Sequence, residues 1–192
     1  KTFLVYNTSY FGDTILTDAL CRNLKRLCPE SRLVFISNKP FADISRYMDG
    51  VDEVWPYDKW SVHKGLAGWY RFYKEHKNQY VFDAAFIIYG NERGILLSKF
   101  LGAKKIYADN RHAIVRLLLS NGKINYGKWI HVQDRHAYLA ELYAGKPMES
   151  MKIRYNVPDE AFAYINEQLL KGITKPIIAL NPVTKRKEKD LK

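Results

Sequence analysis

Short apolar runs alternate with longer stretches whose apolar residues recur at helical spacing, and that alternation constrains the fold of this chain more than any single motif. Phe3-Leu4-Val5-Tyr6 reads as a strand buried on both faces. Leu16, Leu20, Leu24 and Leu27, with Ile15 and Ala19 beside them, predict one helix from Thr14 that Pro29 ends. Strands follow over 32–37 and 51–55, with a short helix between them that Pro40 opens and that runs to about Met48. An aromatic-rich helix covers 63–77 (Trp69, Tyr70, Phe72, Tyr73). A fourth strand covers 82–88, a helix closed by Gly102 covers 92–101, and a fifth strand covers 105–108. Further helices are expected over 132–143, before Gly145, and over 158–170, before Gly172, with a last strand over 177–180.

Strands separated by helices of this length imply βαβ units with right-handed crossovers. The expected fold is an α/β domain with an open, doubly wound, mostly parallel, Rossmann-like sheet. Ligands in such sheets sit at the carboxyl ends of the strands, which singles out loops 7–13, 37–40, 56–62, 89–92 and 109–112. The final stretch differs. Thr174-Lys175-Pro176 reads as a linker, followed by a strand, Asn181-Pro182-Val183-Thr184, and a run from 185 to 192 with five bases and two acids. One strand cannot form a domain. The expectation is therefore a first domain over 1–173, with 174–192 as the linker and first strand and loop of a second domain in a longer protein.

A chain of 192 residues that is 47% hydrophobic and 27% charged is not disordered, collagen-like or of low complexity. No apolar run approaches the ~18 residues of a membrane span, and the start enters a strand too directly for a secretory signal. The net charge of +11 calls for an anionic partner: a phosphorylated ligand, a nucleic acid or an anionic lipid surface. Cys21 and Cys28 lie two helical turns apart, about 10 Å of rise and too far for a disulfide, which fits a reducing cytoplasm.

Several chemistries lack their motifs. The first loop holds one glycine, Gly12, where a dinucleotide site needs G-x-G-x-x-G. Gly122-Lys123 is followed by Ile124 and not by the hydroxyl residue of a phosphate loop. No Asp-x-Asp pair, H-E-x-x-H, C-x-x-C or G-x-S-x-G occurs.

What remains is the stretch from Tyr6 to Leu20: a strand, the polar loop Asn7-Thr8-Ser9-Tyr10-Phe11, then Gly12-Asp13 opening a helix that reads Leu16-Thr17-Asp18-Ala19-Leu20. This order resembles the start of glycosyltransferase family 9, the heptosyltransferases of lipopolysaccharide core assembly. Other segments resemble the family in the same order: Arg32 to Ser37, Val51-Asp52-Glu53-Val54, Tyr80 to Gly90, His131 with Arg135, Leu139 and Leu142, and Ile178-Ala179-Leu180-Asn181-Pro182.

The resemblance implies a GT-B enzyme with two facing Rossmann-like domains, the first binding the acceptor and the second the nucleotide sugar. It implies inverting transfer with no metal and no cofactor beyond the nucleotide-sugar co-substrate, with an ADP-heptose-like donor. The acceptor would be an anionic lipid-linked saccharide at the inner-membrane surface of the cytoplasm. Asp13 would be the general base, with Ser9, Gly12, Thr14, Lys59, Lys64 and Arg111 on the acceptor side. Thr184, Lys185 and Lys189 would meet the donor diphosphate, with Lys187 a competitor and Leu191-Lys192 standing where the family has an aromatic–proline pair.

Independently of the family, a carboxylate near a helix N-terminus stays ionised and can take a proton from a hydroxyl nucleophile. The same residue type is also a good helix cap, and both readings stay open. Lys59, Lys64, Arg71, Lys74 and Lys77, interleaved with Trp60 and Trp69, suit an anionic membrane surface or an amphipathic helix facing the sheet. Lys104, Lys105, Arg111 and Arg116 form a second basic region, in which Arg111 and His112 follow a strand end. Asn91 fits loosely as the polar residue that family members carry near the fourth strand's end. The alternative to an enzyme is a basic α/β domain that holds a phosphorylated ligand or nucleic acid without chemistry. Against nucleic acid, no RNA-binding aromatic motif or helix-turn-helix signal is present.

Overall fold

The computed structural model describes residues 1–90, 92–108, 131–148 and 152–178. Five strands form one parallel sheet: β1 (Thr2–Asn7), β2 (Arg32–Asn38), β3 (Glu53–Tyr57), β4 (Ala84–Ile87) and β5 (Ile106–Ala108), in the order β3-β2-β1-β4-β5. Thr2 pairs with Arg32, Phe3 with Ala84, Ile36 with Trp55 and Ala85 with Ile106. Pro56 falls in edge strand β3, where a missing N–H can be tolerated.

The helices are α1 (Phe11–Ile15), α2 (Asp18–Leu27), α3 (Ala42–Arg46), α4 (Gly65–His76), α5 (Glu92–Phe100) and α6 (Val132–Ala144). Strand side chains alternate between two cores. Leu4, Tyr6, Val34, Ile36, Ala85 and Ile87 face Trp69 and Phe72 of α4 and Ile95 and Leu97 of α5. Phe3, Val5, Leu33, Phe35, Ala84 and Phe86 face Leu20, Cys21 and Leu24 of α2 and Leu139 and Ala140 of α6. The expected doubly wound Rossmann-like fold is therefore present. On one face α5 approaches closely at Gly94, where a Cβ would stand 2.5 Å from the Tyr6 ring. Both cysteines are free, and burial pushes the Cys21 thiol up.

Some expectations change. The helix expected to run unbroken from Thr14 to Leu27 is two helices, for a reason given below. The third strand starts at Glu53 and not Val51, because the Val51 N–H closes a turn on the Met48 carbonyl (3.3 Å). Ile177 and Ile178 are exposed and lie outside any strand; 179 and 180 lie outside the described residues. An apolar pair becomes a strand only where another strand satisfies its backbone.

The chain groups into two compact units, Lys1–Asn156 and Val157–Lys192. In the second unit, α7 (Asp159–Tyr164) widens into a π-helical turn at Ile165–Leu169, in place of one regular helix over 158–170. In the first, residues 152–156 are tied to α2 and to the turn after α3. The Arg154 N–H donates to buried Asp18 Oδ2 (3.0 Å), which Arg22 also contacts (2.8 Å), and Met48 bridges to Tyr155. Desolvation raises the Asp18 carboxyl above the ordinary range, against the pull of those two donors. Among the described residues, no helix is long and apolar enough to cross a membrane.

Candidate functional site

The sheet order reverses at β1, so the carboxyl ends of β1 and β4 open the crevice in which a doubly wound sheet takes its ligand. Asn7, the last residue of β1, is fully buried and organises the loop there. Its Oδ1 accepts the Ser9 N–H (3.0 Å), and its Nδ2 donates to the Asp13 carbonyl (3.0 Å) and to Thr17 Oγ1 (2.9 Å). Tyr10 has extended backbone and caps α1; its carbonyl accepts the Thr14 N–H (3.0 Å) and the Thr14 hydroxyl (3.1 Å).

Asp13 is therefore the third residue of α1 and not its opening residue. Tyr10 and not Asp13 holds the cap position, so the cap reading does not hold, although Asp13 still lies in the first turn. The helix breaks after Ile15 because Thr17 Oγ1 donates back to the Asp13 carbonyl (3.0 Å) while receiving Asn7, which diverts that carbonyl from a regular helix. Thr17 N–H then closes a tight turn on the Thr14 carbonyl (3.1 Å), and α2 starts at Asp18.

The Asp13 side chain is half-buried. Its Oδ1 accepts a hydrogen bond from Tyr89 Oη at 2.8 Å. Among the described residues, Oδ2 accepts none. Tyr89 follows β4 in the left-handed backbone region (φ 56°, ψ 17°). Its ring meets the buried His136 edge-on at 5.3 Å and lies 5.8 Å from the Arg135 guanidinium, both on α6. His136 Nδ1 stands 3.3 Å from the Leu16 carbonyl, at the end of α1.

A third element comes from the loop after β3. Lys59 Nζ donates to the Thr8 carbonyl (2.6 Å) and sits 5.7 Å from the Tyr10 ring and 4.9 Å from the Trp60 ring. Tyr10 and Trp60 are 49% and 51% exposed. Asp58 shapes this loop by accepting the Ser61 N–H (3.0 Å) and Lys39 (3.0 Å), and Lys39 holds its carboxyl below the usual range. His63 Nδ1 accepts the Asp58 N–H (2.9 Å), while Nε2 meets Glu75 (3.1 Å), which stitches the loop to α4.

Ser9, Gly12, Asp13, Thr14 and Lys59 thus gather around one loop. Within that group Gly12 is exposed, with nothing inside 4 Å of where a Cβ would be. Thr14 is fully buried and its hydroxyl is spent on Tyr10, so it builds the turn and does not face an acceptor. Lys64 is exposed at the start of α4. Arg111, His112, Arg116, Asn91, Thr184, Lys185, Lys187 and Lys189 lie outside the described residues. Lys104 pairs with Asp83 (2.8 Å) at the amino ends of the strands, away from this crevice. Of the aromatics on α4, Trp69 and Phe72 pack on the sheet while Tyr70 is exposed. His131 caps α6 by accepting the Gln133 N–H (3.3 Å), one turn before Arg135. A wide hollow of about 690 Å³ beside α2 is also basic. Its Lys25 is paired with Asp52 (2.7 Å) and its Arg154 with Asp49 (3.6 Å), and Arg22, also in its lining, is paired with the buried Asp18 (2.8 Å).

No protein-family model and no curated protein matches the sequence. Solved structures do. The chain is similar to a family 9 glycosyltransferase from Veillonella parvula DSM 2008 (TM-score 0.76, 18% identity), over 89% of this chain and 51% of that one. It is similar to E. coli heptosyltransferase WaaC bound to ADP-2-deoxy-2-fluoro heptose (TM-score 0.67, 19% identity), over 81% of this chain and 52% of that one. It is similar also to E. coli ADP-heptose lipopolysaccharide heptosyltransferase II (TM-score 0.64, 16% identity), over 88% and 50%. These structures come from the family that the sequence motifs resemble, and at such identities the likeness establishes a shared fold. The chain spans about half the length of each.

Proposed function

We propose that this chain is the acceptor-binding part of a metal-independent, inverting GT-B glycosyltransferase with Asp13 as general base. The observation that supports it most is a half-exposed carboxylate at the β1/β4 crevice, steadied at one oxygen and, among the described residues, with no partner at the other. The open oxygen takes the proton of an acceptor hydroxyl as that hydroxyl's oxygen attacks the anomeric carbon of the donor. The bond from that carbon to the nucleoside diphosphate breaks, the diphosphate leaves with the electron pair, and the configuration inverts. The donor is ADP-heptose or a related nucleotide sugar, and the acceptor is the lipopolysaccharide inner core. The fold shared with heptosyltransferases and the ordered sequence motifs favour this substrate class.

Lys59, Lys64 and Arg111 provide positive charge for an anionic acceptor, beside Ser9 and Gly12. Lys59 is the best placed of these, because it is anchored to the Asp13 loop itself. Thr184, Lys185 and Lys189 serve the donor diphosphate. The exposed bases and aromatics from Lys59 to Lys77 rest on the anionic membrane surface that carries the acceptor. The test is Asp13→Ala in the full-length protein, assayed with ADP-heptose and heptose-free lipopolysaccharide acceptor. Turnover falls at least ~100-fold while donor affinity holds. Normal turnover removes Asp13 from the chemistry.

A further inference from the structure

We infer that Tyr89 is the positioning residue for Asp13: it fixes one carboxylate oxygen so that the other faces the acceptor hydroxyl. This rests on the reading of Asp13 as the base. The phenol reaches across the crevice from the end of β4 to α1, linking residues 76 positions apart at 2.8 Å. Nothing in the local sequence of either segment requires that contact. Tyr89 makes it from a left-handed backbone (φ 56°) that residues with a side chain keep only where their surroundings hold them, and that recurs at functional sites.

The surroundings that hold it are specific. His136 packs against the ring edge and anchors to the Leu16 carbonyl just after α1, so a single stretch of α6 supports both ends of the Tyr89–Asp13 bond. Arg135 lies against the ring from the same helix. Arg135 and His136 are the charged and titratable groups shown against the Tyr89 ring among the described residues. A phenol remains protonated at neutral pH, so Tyr89 donates and does not compete for the acceptor's proton. The bond removes the rotation that would otherwise let the reacting oxygen turn away from the hydroxyl, which is an orientational contribution to turnover.

The test uses Tyr89→Phe, which keeps the ring packing and removes only the hydroxyl. In the full-length protein, assayed with ADP-heptose and heptose-free lipopolysaccharide, kcat is expected to fall about tenfold with KM unchanged. An unchanged kcat beside an inactive Asp13→Asn overturns the role of Tyr89 and leaves the base assignment standing. Full activity in Asp13→Asn overturns the base assignment and this inference with it.

Discussion

At the amino ends of the strands, Asp52 and Asp83 each stand one residue before a strand and do the same job. The Asp52 carboxylate accepts the Leu33 N–H (2.6 Å) and Lys25 (2.7 Å), and its own N–H returns a bond to the Leu33 carbonyl (3.0 Å). The Asp83 carboxylate accepts the Thr2 N–H (3.0 Å) and Lys104 (2.8 Å), and its N–H donates to the Thr2 carbonyl (2.8 Å). Each aspartate fastens the start of its own strand to the start of the next and has a lysine to balance its charge. At the carboxyl ends, the Asp13 carboxylate accepts no backbone N–H among the described residues. Its backbone carbonyl carries the structural bonds, to Asn7 and Thr17, and its side chain meets the Tyr89 phenol. The same residue type thus holds the sheet together at one end and is held ready at the other. Burial does not separate these roles; the number and kind of donors does.

The largest effects should split along that division. Asp13→Asn in the full-length protein is expected to lose about 100-fold in turnover with no loss of Tm, whereas Asp83→Asn is expected to lower Tm and leave kcat alone. Steady-state kinetics and thermal unfolding of both variants check this, and the division fails if Asp13→Asn unfolds early or Asp83→Asn slows turnover. Next in size is Asn7→Ala. It deletes an amide that makes three bonds in a buried setting and is expected to cost about 1–3 kcal/mol. It also frees the backbone that carries Asp13, so turnover should fall along with stability. Denaturant unfolding at a fixed m-value measures the first, and kcat of the surviving folded fraction the second.

The layered part of the molecule was legible because it is local. Alternating faces in Phe3-Leu4-Val5-Tyr6 and the stripe of Leu20 and Leu24 give parallel strands and covering helices without knowledge of their partners. The loop with Asp13 was legible as a strand-to-helix junction but not in its geometry. Whether the helix opens at Phe11 or Asp13, and that it breaks near Thr17, is decided by the amide of Asn7, ten residues before Thr17. Tyr89 could not be picked out, since its significance lies in a backbone angle and in a partner 76 residues away. The nearest residue marked there was Asn91, the loosely fitting polar residue two positions further on. Lys59 was marked for its charge, yet its anchor on Thr8 and its place beside two exposed rings come from a meeting of the loops after β3 and β1 that no local pattern encodes.

That placement gives the next prediction. Lys59→Met keeps the aliphatic stem and removes the ammonium that bonds Thr8 and faces both rings. The expected result is a rise of about fivefold in KM for the anionic acceptor, no change in KM for the donor, and kcat within twofold of the parent. A rise in donor KM instead would move Lys59 out of the acceptor side. The effect should shrink as salt is raised, because the ammonium is close to water and exposed charges are screened within about 10 Å at 0.1 M ionic strength.

The smallest effect tests the amino-end aspartates by pH. Lys104, and then the Thr2 N–H, hold the Asp83 carboxyl below the usual carboxylate range. A carboxylate whose folded pKa is depressed contributes stability that is complete above its unfolded value, near 4, and is lost as pH falls through the folded value. The side chain is 30% exposed, so solvent screening limits the contribution to about 1 kcal/mol or less. Asp83→Asn cannot ionise. Its Tm should therefore lie below that of the parent at neutral pH, and the gap should close as pH falls below about 4, where the parent's Asp83 takes up its proton. Thermal unfolding of the two proteins across that range reads the gap directly. A gap that stays constant with pH would mean that Asp83 acts through its shape and not its charge, and the contrast with Asp13 would then rest on geometry alone.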